Sequence, residues 1–178
     1  MRHARPTLCT IAALLISCAR PEAQTGPPPS AYLGQQTRSI KALSDVEIDG
    51  YLKGEGMGMA RAAELNHYPG PRHLLMLAEE LGLTDRQRAQ TERLFDTMHA
   101  KAVAAGAKYI AAERELDVFF ASNDASSPST LANLVARAAR LLGEVRAAHL
   151  NAHLAMAKAL TPRQVAAYDR LRGYETDK

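Results

Sequence analysis

Two stretches of this 178-residue chain carry apolar side chains at alternating spacings of four and three, and that pattern limits the fold more than any other feature. In the first, Leu94, Met98, Ala102, Ala105, Tyr109, Ala112, Leu116 and Phe119 fall along one stripe. In the second, the stripe is Leu131, Leu134, Ala138, Leu141, Val145, Ala152 and Met156. Such a stripe is a seam by which one helix packs along another. Thr84-x-x-Gln87 opens the first stretch as a capping box, in which hydroxyl and amide satisfy opposite free backbone groups. Ser127-Pro128 opens the second with a cap and a first-turn proline. The spacing predicts helices over about 84–122 and 128–160, the first about 57 Å long. The short polar loop between them, built from Ser122, Asn123, Asp124, Ser126 and Ser127, makes the pair antiparallel. Aromatics are 5% of the chain and β-branched residues are sparse, which leaves little from which to build a sheet. The expected fold class is therefore all-α, a long antiparallel helical hairpin with shorter flanking helices.

The flanking segments carry their own signals. Ser44-x-x-Glu47 is a second capping box, and Gly50, Gly54, Gly56 and Gly58 follow it. A broken helical stretch is expected over about 44–66. Asn66 to Pro71 reads as a turn, with Pro71 at the first position of a short helix over about 71–81. Gly82 stops that helix, and Leu83 is placed for the apolar contact that accompanies a glycine cap. The last helix opens with Thr161-Pro162-Arg163-Gln164, a third capping box.

The N-terminus reads as an export signal. Arg2, His3 and Arg5 precede an apolar run from Leu8 to Ile16, too short to cross a bilayer as a helix. The run ends Leu15-Ile16-Ser17-Cys18, which resembles a lipobox with Cys18 as the lipidated residue; the alternative is ordinary cleavage after Ser17-Cys18-Ala19. Lipid on Cys18 would anchor the chain to a membrane surface without spanning it. Residues 1–17 are thus expected to be a signal peptide, 18–43 a disordered linker rich in proline and glycine, and 44–178 the helical domain. Without Arg2 and Arg5 the chain is nearly neutral and has no basic block, which argues against nucleic-acid binding. No cysteine follows Cys18, so the domain has no disulfide and no thiol nucleophile.

Leu83-Thr84-Asp85-Arg86-Gln87 and Leu160-Thr161-Pro162-Arg163-Gln164 are two copies of LTxxQ, one at each end of the expected hairpin. In each copy the Thr and Gln also read simply as caps. The pair, in this order and behind an export signal, resembles the LTxxQ family of bacterial periplasmic proteins. That family includes Spy- and CpxP-type chaperone or stress-response proteins and is similar to CnrX- and ZraP-type metal-responsive proteins. The resemblance implies a hairpin-like fold of four to five helices, often a homodimer forming a curved cradle, a periplasmic location, and no catalytic chemistry. It also implies partners: unfolded client proteins, or a membrane-bound sensor protein.

One constellation suggests a metal. His149, His153 and Met156 sit at i, i+4 and i+7, on one helical face. Two imidazoles and a thioether could take a divalent transition metal (Zn, Ni or Co) or Cu. The metal-responsive relatives use a similar His and Met pair there, and a His pair on their first helix. Here the first region offers only His67 and His73, across a Pro-Gly-Pro turn, with Glu64, Glu79 or Glu80 as the carboxylate. The packing alternative places His149 and Met156 on the seam and leaves His153 exposed. Met57, Met59 and Met76 read as core or interface packing, as soft-metal ligands, or as an adaptable apolar surface at a client groove. No glycine-rich phosphate loop follows a strand, and Glu113, Glu115 and Asp117 alternate with basic residues as on a solvated face, so the chain is not expected to be an enzyme.

Overall fold

The computed structural model describes residues 28–122 and 127–174. The proposed signal peptide, Cys18 and most of the expected inter-helix loop lie outside the described residues. The chain divides into two units between Leu33 and Gly34. In the first unit, the described residues form an exposed turn closed by a hydrogen bond from Leu33 N–H to Ser30 O. All the helices among the described residues belong to the second unit.

A 3₁₀ turn at Gln35–Thr37 is followed by α1 (Asp45–Leu52), α2 (Arg61–Glu64), α3 (Pro71–Met76), α4 (Asp85–Ala121), α5 (Pro128–Ala157) and α6 (Pro162–Leu171). Among the described residues there is no strand. The all-α hairpin is as the periodicity predicts: α4 and α5 pack along each other through the two stripes. All three capping boxes form, at Ser44/Glu47, Thr84/Gln87 and Thr161/Gln164. The glycine run breaks the first region into α1 and α2, as expected. α3 is shorter than the predicted 71–81: it winds as far as Met76 and continues in turns to Gly82. There the backbone closes with bonds from Leu83 N–H to Ala78 O and from Gly82 N–H to Glu79 O, the paired pattern of a glycine cap.

Two apolar clusters hold the unit together. In one, Ile40, Leu43 and Tyr51 pack on Tyr109, Ile110, Leu141 and Val145 of the hairpin. The close crossing of α1 over α4 needs Gly106, because a Cβ there would stand 2.6 Å from the Tyr51 carbonyl oxygen. In the other cluster, Leu74, Ala78, Leu81 and Leu83 pack against Met156 and Tyr168.

The first cluster corrects the expected linker. Residues 18–43 do not all lie outside the fold, because Ile40 is fully buried and Leu43 nearly so. Leu43 precedes the Ser44 cap and shares its cluster with Ile48 in the first turns of α1, which is a hydrophobic staple. Asp117 of α4 fixes the same segment, accepting from Lys41 N–H at 3.2 Å.

Candidate functional site: two openings beside the glycine-broken segment

The two LTxxQ copies, 77 residues apart, meet in space. Gln87 Nε2 donates to Gln164 Oε1 at 2.9 Å, and Gln164 Nε2 donates to Gln87 Oε1 at 3.1 Å. Gln87 Nε2 also donates to the Ala159 carbonyl at 3.0 Å. Each glutamine oxygen meanwhile accepts from the Thr backbone N–H of its own capping box. The motif is therefore more than two caps: it clasps the start of α4 to the start of α6, closing the hairpin at its base. Leu83 is buried and Leu160 half-buried in the apolar cluster beside the clasp. Thr84, Gln87, Thr161 and Gln164 thus have structural roles that the sequence showed only in part.

A cleft of about 560 Å³ opens between the glycine-broken segment, α4 and α5. His149 and His153 of α5 line it, with Glu64, His73 and His99. Met156 does not join them. It is fully buried in the apolar cluster with Leu74 and Tyr168. Of the three residues read as a metal stripe, the structure therefore brings together the two imidazoles and separates the thioether. The packing alternative is corrected too, since His153 is buried rather than exposed. Its ring lies against Gly70, where a Cβ would stand 2.7 Å from the ring carbon Cε1. Only glycine lets α5 approach the Pro69–Pro71 turn so closely.

Glu64 is the hub of the cleft wall. It accepts from Tyr168 Oη at 2.6 Å and Tyr174 Oη at 3.0 Å, and Arg172 Nε lies 3.4 Å away. His73 Nδ1 and His153 Nδ1 approach it at 3.5 and 3.6 Å. Of the three acids that the sequence offered, the fold selects this one. His153 Nδ1 donates to the Tyr68 carbonyl at 2.7 Å; a carbonyl only accepts, so the proton sits on that nitrogen. His99, on the exposed face of α4, likewise donates from Nε2 to Lys53 O at 3.0 Å. His67 turns away from the cleft to Asp169, at 2.7 Å.

Electrostatics follow from this packing. Burial, together with the rings of His153 and His99, holds His149 below the usual imidazole range. His73 is lowered as well, by burial first and by Arg172 second. Burial and the Glu64 carboxylate push the Tyr168 hydroxyl well above the usual phenol range. Tyr168 therefore remains a hydrogen-bond donor at any physiological pH. Among the described residues, no three His, Cys, Asp or Glu side chains stand at a spacing that could hold one metal ion.

A second, shallower groove of about 500 Å³ runs along α2. It is lined by Met57, Met59, Ala62 and Leu65 together with Arg61 and Arg146. Met57 has a left-handed backbone (φ 43°) and is part-exposed. Leu65 is 57% exposed. Of the two methionines of Met57-Gly58-Met59, Met57 is part-exposed in the groove, whereas Met59 is half-buried and packs against the first apolar cluster. Met76, the third of those methionines, is 71% exposed on α3 and apart from the groove.

A family model described as LTXXQ motif family protein matches residues 71–172, more than half of the chain. The chain belongs to that family, which is the family of Spy/CpxP-like proteins, in general periplasmic and non-enzymatic. No curated protein and no solved structure matches the chain.

Proposed function

We propose that the protein is a periplasm-facing, ATP-independent chaperone or envelope-stress accessory protein that binds non-native protein segments along the Met57–Leu65 groove. The groove itself carries the reading. Methionine is unbranched and polarizable and adapts to irregular apolar partners. Met57 and Leu65 offer such a surface in the open, and the half-buried Met59 and the Arg61 and Arg146 side chains line the same groove. An unfolded chain presents short apolar runs with charges between them, which this mixed wall complements. Binding energy alone drives such an activity. Lipid on Cys18 would hold the domain at a membrane surface, and palmitate labelling of the wild type against Cys18→Ala tests that anchor. Client binding is tested by light scattering of several unrelated aggregating clients. Suppression without nucleotide, rising with molar ratio, is expected. Unchanged scattering for all clients at several-fold excess contradicts it.

The competing reading is a metal-responsive protein that uses His149 and His153. Two features speak against it: the place of Met156, and the four cationic side chains that line the same cleft. Calorimetric titration with Zn, Ni, Co and Cu ions decides it. Tight binding that is lost in the His149→Ala/His153→Ala double variant would restore the metal reading.

A further inference from the structure

The histidine-lined cleft is a different opening from the groove, although Arg61 borders both. His149 is 3% exposed, and its Nε2 has no hydrogen-bond partner among the described residues. Buried ring nitrogens are almost always paired, so this one calls for a partner from outside the chain. Burial keeps the ring neutral at neutral pH, and a neutral imidazole can present an N–H to an acceptor.

The charges around the ring select that partner. Lys53, Arg61, Arg72 and Arg172 line the cleft, against Glu55 and Glu64. Glu64 is already engaged by Tyr168, Tyr174 and Arg172. Lys53 pairs with Asp49 outside the cleft. Arg61 and Arg72 have no ion pair among the described residues and stand exposed. A guanidinium presents a planar fork of donors that matches a carboxylate. Phe95 and Met98 add an apolar wall to the same space.

We propose that this cleft binds a carboxylate carried on an apolar body, with the carboxylate between the His149 ring and the exposed Arg61 and Arg72 side chains, and the body against Phe95 and Met98. The proposal goes beyond client binding at the groove and does not depend on it. The carboxylate has two possible sources, a small organic acid or the C-terminus of a peptide, and the probes separate them.

The test is histidine-ring NMR and calorimetry on the purified protein. The probes are benzoate and an N-acetyl-Ala-Ala-Phe peptide, each against its amide, with zinc chloride as the cation arm. The His149 ring signals should move saturably with a carboxylate, and the matching amide should bind at least about tenfold more weakly. Arg72→Gln, a change at an exposed position that leaves the fold intact, should weaken carboxylate binding by about three- to tenfold. His149→Gln should weaken it by about tenfold in calorimetry. Binding of benzoate identifies a free acid, and binding of the peptide alone identifies a chain terminus; either supports the site. Equal binding of acid and amide, no saturable response to either carboxylate, or a response to zinc alone would overturn it.

Discussion

Replacing Gln87 by alanine should cost far more than a lost helix cap. A cap contributes about 1 kcal/mol, and Thr84→Ala, which removes only the hydroxyl side of the box, should lose about that much. Gln87 does more. Its amide donates to Ala159 O and to Gln164 Oε1, and it accepts from Gln164 Nε2 as well as from Thr84 N–H. Each cross-helix bond adds about 1 kcal/mol net, and truncation also strands the half-buried Gln164 amide, so Gln87→Ala should lose about 3 kcal/mol. Gln164→Ala should lose a similar amount. The two residues share the reciprocal pair of bonds, so the double variant should lose less than the sum of the singles, with a coupling of about 1–2 kcal/mol. Urea unfolding of the four proteins measures this directly. Coupling below about 0.3 kcal/mol would mean that the two boxes act as independent caps, and the clasp would be refuted.

Other outcomes follow from the same packing. Gly106→Ala should destabilise by about 1–3 kcal/mol, because the new methyl meets the Tyr51 carbonyl oxygen, which belongs to backbone and cannot swing aside; an unchanged melting temperature would contradict the close crossing. Tyr168→Phe should lose about 1–3 kcal/mol by removing the strongest donor to Glu64, and a neutral effect in urea would mean that Glu64 is not a hub. The folded-state pKa of His149 is depressed, so below the ordinary value near 6.5 the unfolded chain takes up a proton that the folded chain refuses. Its contribution to stability is therefore complete above that pH and declines as pH falls toward the folded value. The gap between wild type and His149→Gln should narrow on acidification from pH 7.5 to 5.5, and a gap that widens would reverse the sign of the argument.

What the sequence revealed was what short-range periodicity and capping chemistry encode. The stripes from Leu94 to Phe119 and from Leu131 to Met156 set the hairpin, because a 3.6-residue turn leaves no other way to bury them. Gly82 and the three capping boxes marked helix ends through local hydrogen bonds alone. Glu64 could not be told from Glu79 or Glu80, since its partners Tyr168, Arg172 and Tyr174 lie about a hundred residues away and arrive only through the fold. The reciprocal bonds of Gln87 and Gln164 stayed hidden for the same reason: each residue already had a sufficient local explanation as a cap. Met156, at i+7, shares a helical stripe with the two histidines, but by its position the stripe has passed from the cleft into the apolar cluster. His99 lies between seam positions and gave no signal until α1 brought the Lys53 carbonyl against it. Ile40 and Leu43 were legible in principle. Leu43 stands one residue before a capping box whose fourth helical position is Ile48, but the prolines and glycines upstream outweighed that staple.

Charging the Met57–Leu65 groove shows whether non-native protein binds there. Leu65 is largely solvent-exposed, so Leu65→Glu should leave the melting temperature nearly unchanged while placing a carboxylate among the apolar side chains. Its suppression of client aggregation would be compared with that of the wild type and of Phe120→Ser, a control at the far end of α4 where the apolar ring is also exposed. Leu65→Glu should lose most of the suppression, and Phe120→Ser should retain it. Full suppression by Leu65→Glu, or equal loss in both variants, would contradict binding at the groove.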